Sequence, residues 1–290
     1  MQPNTGPVFA GGAGRHGALM GSDPLPRRSH AGPDSRAVFT PGVLYAKLRR
    51  MSAPALRISK LTKSYASAIA LTDLSLEVAA GDFFGLVGEN GAGKTTLIKC
   101  ALDFCDVGGG NIEIFGTPHR QTAARSRIAF LPERFVPPYF LSGRDFLRYT
   151  CELHRRDYDE TRVREMLEAL ELAVGALDKP VRAYSKGMTQ KLGLAACLLS
   201  EKDLYILDEP TSGLDPKARA LLKRELKAQH ARGRTVLMTT HALHDVAEMC
   251  SRMAVIHLGQ LRFAGTPAEF IQQQGASDLE HAYLACIAAH

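Results

Sequence analysis

Long apolar runs are missing from this 290-residue chain. The nearest approach, "LGLAACLLS" at Leu192 to Ser200, is about half of the roughly 18 residues a membrane-crossing helix needs. A membrane role, if there is one, is therefore expected to be one of docking. Six cysteines (Cys100, Cys105, Cys151, Cys197, Cys250, Cys286) form no C-x-x-C pair and have no histidines at zinc-finger spacing. They read as reduced, cytosolic and core-filling. Tryptophan is absent, which decides nothing. No internal repeat and no second glycine loop occur, and the guanine-reading Asn-Lys-x-Asp pattern is missing, which argues against a GTPase.

A basic footprint is also lacking once the net charge of +6 is placed along the chain. Residues 1–50 hold seven Lys/Arg and two Asp, while the remaining 240 hold 29 basic and 28 acidic residues. The near-neutral remainder leaves no stripe for a nucleic-acid backbone, so none is expected as a partner. The basic leader, taken as residues 1–53, is rich in Gly, Pro and Arg and has no sustained periodicity, which predicts disorder. Two readings of it stay open: a tail, or a start assigned too early, with Met51 as the true beginning.

From Leu56 the texture becomes orderly. "LRISKLTKSY" alternates like a strand, and "ALTDLSLEVAAGDFFGLVGEN" supplies two more around an Ala-Gly-Asp turn. From about Arg134 to Leu199, three stretches carry apolar residues at helical spacing, reading as a helical insert in an α/β domain. Short buried strands then return in "DLYILDEP" and "TVLMTTH", separated by a helix that opens at Pro216, and "RMAVIHLGQLRFAG" reads as a hairpin. The expected fold class is α/β: a P-loop NTPase (RecA-like) core with an antiparallel β subdomain and an inserted α-helical subdomain. The expected domain runs over 54–274, with a short C-terminal tail at 275–290.

The strand "FFGLVG" runs into "GENGAGKTTLIK", which fits G-x-x-x-x-G-K-[ST] with Gly88, Gly93, Lys94 and Thr95. Glycines let the backbone curl so that the N–H groups of Glu89, Asn90, Gly91, Ala92, Gly93 and Thr96 point at phosphate oxygens, aided by the positive end of the following helix. Lys94 is placed to reach the β- and γ-phosphates and Thr95 to ligate Mg²⁺. "LYILDEP" is a buried strand ending in two carboxylates, which is costly unless they face a cation or polar chemistry. Asp208 is assigned to the Mg²⁺ shell and Glu209 to the attacking water as general base.

"YSKGMTQKL" (Tyr184 to Leu192), "DEPTSGLDP" (Asp208 to Pro216) and "TTH" (Thr239 to His241) follow in the order found in ATP-binding cassette (ABC) ATPases, and the chain resembles that family from about Leu56 to Ile271. By this resemblance Ser185, Lys186, Gly187 and Met188 form the signature that reads the γ-phosphate of ATP held by a second subunit. Ser212 to Asp215 form the loop that communicates between sites, His241 is the switch histidine, and Tyr65 stacks on adenine. "SKG" also opens a helix, a second anion site that one chain does not easily fold onto its own loop. A head-to-tail dimer of two copies, or of one copy and a paralogue, is therefore expected.

Two positions depart from the family's usual pattern. The signature reads Ser-Lys-Gly-Met, which resembles bacterial exporters whose permease is a separate polypeptide. Glu133 in "IAFLPER" stands where the family usually has a Mg²⁺-ligating glutamine, adding a negative charge near Asp208 and Glu209. Beyond it, Val136, Tyr139 and Phe140 either receive a membrane partner or cap the subdomain's own core. The resemblance implies an ATPase on the cytoplasmic face of the inner membrane that couples ATP and Mg²⁺ to a separate transmembrane permease. The alternative is a soluble ABC ATPase acting on ribosomes or DNA.

Overall fold

The computed structural model describes residues 53–66 and 68–288. The leader up to Ser52, and with it the question of Met51, lies outside the described residues. Two sheets organise the rest. The first has the order β2-β1-β4-β5 and is antiparallel, built from β1 (Leu56–Tyr65), β2 (Ala68–Val78), β4 (Gly109–Ile114) and β5 (Thr117–Pro118). The second has six strands in the order β10-β9-β3-β8-β7-β6. It comprises β3 (Phe83–Val87), β6 (Ile128–Leu131), β7 (Leu204–Asp208), β8 (Thr235–Thr240), β9 (Arg252–His257) and β10 (Gln260–Gly265). Only the β9–β10 hairpin within it is antiparallel.

Every residue of β3, β7 and β8 is buried, as both-face coverage of a parallel sheet requires. Their parallel registers pair Val87 with Thr240 and Asp208 with Thr239. The carboxyl ends of β3, β7 and β8 therefore gather at one rim, where ligands of open α/β sheets bind. The β9–β10 turn has Leu258 at φ 47° and Gly259 at φ 73°, the pair of positive values a two-residue hairpin turn demands.

Helix α1 (Lys94–Ala101) follows β3, and the short α2 (Thr122–Arg125) precedes β6. Between β6 and β7 the chain is helical, with α3 (Gly143–Leu153), α4 (Glu160–Ala169) and α5 (Lys186–Leu199), and two single 3₁₀ turns between α4 and α5. Each α-helix there starts on a side-chain cap, from Ser142, Asp159 and Ser185 respectively. Phe146, Leu147, Val163, Leu167, Leu192 and Leu194 bury the inward faces. Helix α6 (Pro216–Ala231) lies between β7 and β8, and α7 (Leu243–Met249) between β8 and β9.

The C-terminal stretch is more ordered than a tail. After α8 (Pro267–Gln274), closed by Gly275 at φ 61°, the chain forms α9 (Leu279–Ala288). It buries Leu279, Ala282 and Cys286 in the main core, and Asp278 accepts from the His281 N–H at its start. Among the described residues no helix is long and apolar enough to cross a membrane.

Candidate functional site

The loop between β3 and α1 carries its shape in its glycines. Gly93 has φ 110°, and a Cβ there would lie 2.8 Å from Leu71 Cδ2 and 2.9 Å from the Ala70 carbonyl. A Cβ on Gly88 would fall 2.4 Å from the Ile256 carbonyl. Neighbouring backbone thus presses against the loop from two strands. The Gly259 N–H donates to the Ala92 carbonyl at 3.0 Å, and the Thr72 N–H to the Gly259 carbonyl at 2.9 Å, so the hairpin turn fastens the loop to β2. Gly91, at φ 86°, has nothing near its missing side chain and lies on the open side. With Glu89, Asn90 and Gly91 exposed, the curl forms a concave backbone surface that faces solvent.

Lys94 is buried to 6% exposure, an unusual place for an ammonium. It donates to the Gly88 carbonyl, and to that of Glu89 at 3.2 Å, and lies 3.6 Å from Glu209 Oε1. The cation is thus parked across its own loop, beside the carboxylate at the end of β7.

The two carboxylates are held differently. Asp208 accepts from the Thr95 hydroxyl at 3.1 Å on one oxygen and from the Thr239 hydroxyl at 2.6 Å on the other. Thr239 also accepts the Glu209 N–H at 2.8 Å, locking the β7 end to β8. Glu209 has φ 47°, a left-handed conformation that costs a non-glycine residue on the order of 1–3 kcal/mol. That turn swings its carboxylate so that Oε2 lies 3.0 Å from His241 Nδ1, while Oε1 is buried without a hydrogen-bond partner.

The structure brings together Gly88 to Thr96, Asp208, Glu209 and His241. Tyr65 sits at the end of β1, 44% exposed, with its hydroxyl 3.6 Å from Cys105 Sγ and the Lys63 ammonium 4.7 Å from its ring centroid. The Cys105 contact, followed by partial burial, raises its phenol above the usual range. Ser185 caps α5 by accepting from the Met188 N–H at 3.2 Å, with Ser185 and Lys186 exposed. Among the described residues no hydrogen bond or ion pair joins Ser185, Lys186, Gly187 or Met188 to the glycine loop. Asp215 caps α6 through the Ala218 N–H at 2.9 Å, which depresses its pKa. A Cβ on Gly213, just before it, would meet Lys186 Nζ at 2.8 Å, so this loop and the signature touch. Glu133 is exposed, two residues past β6, and makes no hydrogen bond or ion pair among the described residues.

Val136, Tyr139 and Phe140 are 84%, 67% and 69% exposed, so they do not cap the subdomain core; Phe135 does, edge-on to Phe146 at 5.6 Å. Residues unforeseen from the sequence complete the site. Thr239 ties the Asp208 carboxylate to the Glu209 N–H, and Tyr283 on α9 has its phenol raised by burial and then by the Glu89 charge.

The ABC transporter family profile matches residues 71–212. The chain is 35% identical over 241 residues to the Nod factor export ATP-binding protein I of Sinorhizobium fredii, covering 81% of this chain and 69% of that one. Its curated relatives of this similarity are spanned over 58% to 76% of their length. A solved ATP-binding subunit of an ABC transporter superposes with a TM-score of 0.74 at 29% identity, covering 80% of this chain and 99% of that one. A dimeric ATP-binding cassette in a post-hydrolysis state with ADP and Pi shares the fold, with a TM-score of 0.67 at 21% identity over 73% of this chain and 98% of that one. With that similarity added to the phosphate loop and its paired carboxylates, the chain belongs to the ABC transporter family as an ATP-binding, ATP-hydrolysing subunit.

Proposed function

We propose that this chain is the energising subunit of an exporter, in which two copies, or one copy and a paralogue, bind ATP head to tail and drive a separate permease. The observation that carries this reading is the division of the site. Loop, carboxylates and switch histidine meet at one rim, while Ser185 to Met188 form a capped helix start, exposed at Ser185 and Lys186, that makes no hydrogen bond or ion pair with the glycine loop among the described residues. A helix start of this kind is an anion site in search of a phosphate. A second copy related by a two-fold axis supplies one and receives the same in return.

The glycine loop holds the β- and γ-phosphates of ATP, and Lys94 leaves its carbonyl contacts to pair with them. Tyr65 stacks on adenine. Glu209 accepts the proton of the attacking water at Oε1, with His241 fixing Oε2 and contacting the γ-phosphate. The oxygen donors Thr95 and Asp208 suit a hard cation that takes few protein ligands, and the described residues contain no cluster of three His, Cys, Asp or Glu. Mg²⁺ therefore fits, held by Thr95 and Asp208, with Glu133 free to join. When bound, it would neutralise charge on the phosphates.

The paired rings of Tyr139 and Phe140, 5.8 Å apart and exposed beside Val136, suit an apolar partner segment. We assign them to the permease, and with it propose a peripheral location on the cytoplasmic face of the inner membrane. The export direction rests on the Ser185 to Met188 signature and on the name of the Sinorhizobium fredii relative, and the cargo is left to the permease. The test is purification of the C-terminally tagged chain from gently solubilised membranes. A stoichiometric polytopic membrane protein supports the proposal. Recovery with ribosomal or DNA-bound proteins instead replaces it with the soluble alternative.

A further inference from the structure

Just behind the site, two segments run past each other: Glu209-Pro210-Thr211 leaving β7, and His241 to Asp245 entering α7. They are joined at two points. His241 Nδ1 lies 3.0 Å from Glu209 Oε2, and the Thr211 hydroxyl donates to Asp245 Oδ2 at 3.2 Å. The second contact is deeper, with Thr211 5% and Asp245 1% exposed. The other oxygen of Asp245 is 2.6 Å from the ammonium of Lys223 on α6, whose remaining partner is Glu248 at 2.7 Å. A buried carboxylate satisfied on both oxygens cannot drift without leaving a charge unpaired.

We infer that Asp245 is a positioning residue for hydrolysis: through Thr211 it fixes the strained segment that carries Glu209 against the helix that follows His241. Glu209 sits at φ 47°, so its backbone tends to relax away from this conformation. Thr239 holds it on the strand side through the Glu209 N–H at 2.8 Å. Asp245 holds it on the other side, and because Asp245 and His241 share one short segment, the same contact sets the distance between imidazole and base. Lys223 orients the Asp245 carboxylate so that Oδ2 faces Thr211.

This inference rests on Glu209 as the base, and the test separates the two. The full-length chain is assayed for steady-state ATP hydrolysis, with ADP affinity measured by calorimetry. Asp245→Asn leaves Lys223 paired with Glu248, and Thr211→Val keeps the shape of the side chain. Each is expected to lower kcat roughly tenfold or more, the scale of a small misplacement of reacting groups. ADP affinity stays within about twofold, because neither residue touches the phosphate loop. Thr211→Ser, which keeps the hydroxyl, retains most of kcat, and the Asp245→Asn/Thr211→Val double variant is no slower than either alone. Folded Asp245→Asn and Thr211→Val proteins with wild-type kcat overturn the inference, as do equal losses in Thr211→Ser and Thr211→Val, or losses that multiply in the double variant. Normal turnover by Glu209→Gln, by contrast, removes the base assignment itself.

Discussion

Glu209→Gln probes the chemistry most directly, because the substitution preserves shape and removes one negative charge. General-base assistance contributes about 10²- to 10⁴-fold, so the variant is expected to lose roughly 3–5 kcal/mol of transition-state stabilisation. The structure adds a second, independent consequence. Lys94, 6% exposed, loses the carboxylate 3.6 Å away in the nucleotide-free protein. Breaking a buried pair commonly costs about 3–5 kcal/mol. Here Lys94 keeps the carbonyls of Gly88 and Glu89, so about 1–3 kcal/mol is expected, the cost of one imperfectly satisfied buried group. For a domain of this size that lowers Tm by roughly 5 °C. Bound ATP supplies the missing negative charge, so the deficit closes when nucleotide is added. Phosphate release and thermal melts with and without ATP measure the two effects. Near-normal turnover would refute the base assignment, and an apo Tm equal to wild type would refute the parked-lysine reading.

Lys94→Ala removes the cation meant for the β- and γ-phosphates and is expected to abolish measurable ATP binding by calorimetry; near-native affinity contradicts the loop assignment. Glu133→Gln removes a negative charge from the position proposed to join the Mg²⁺ and is expected to leave Mg²⁺-dependent turnover equal or higher, whereas complete loss shows that the carboxylate has its own role. Glu248, hydrogen-bonded by Lys223 and then Lys227, is held at about 2 against an ordinary 4.5. A depressed carboxylate contributes stability that is complete above pH 4.5 and is lost as pH falls toward about 2. Acid melts of Glu248→Gln are therefore expected to show a shallower decline over that window than wild type, and parallel curves would contradict the pairing.

The fold was largely legible because its strands and helices announce themselves locally. β3 and β7 are short apolar runs closed by glycine or carboxylate, and α6 opens on Asp215-Pro216 and ends before Gly233. The C-terminal helix was equally open to reading. Asp278 is a capping residue, and Leu279, Ala282, Tyr283 and Cys286 fall at helical spacing. It reads as a tail only if the family's extent is taken as the end of ordered structure. The exposure of Tyr139 and Phe140 is a different matter, since no local pattern tells an aromatic that caps a core from one that stays exposed. Phe135 took the core position, leaving the other two outside.

Within the site, the residues that the motif assigns to phosphate stand side by side in the sequence, and those packed around them do not. Thr239 looks like one more β-branched strand residue until the β7–β8 register sets it opposite Asp208. Thr211, Lys223 and Asp245 come from a loop and two helices, and nothing in their spacing announces that they meet. The strain at Glu209 is less visible still, because a glutamate in the left-handed region leaves no mark in composition or periodicity. Only surroundings that over-determine the turn keep it there, and those surroundings are assembled from positions 30 to 36 residues away in sequence, Thr239 to Asp245. The motif names the groups proposed for the chemistry, whereas the angle at which Glu209 meets His241 is a property of the packed interior behind them.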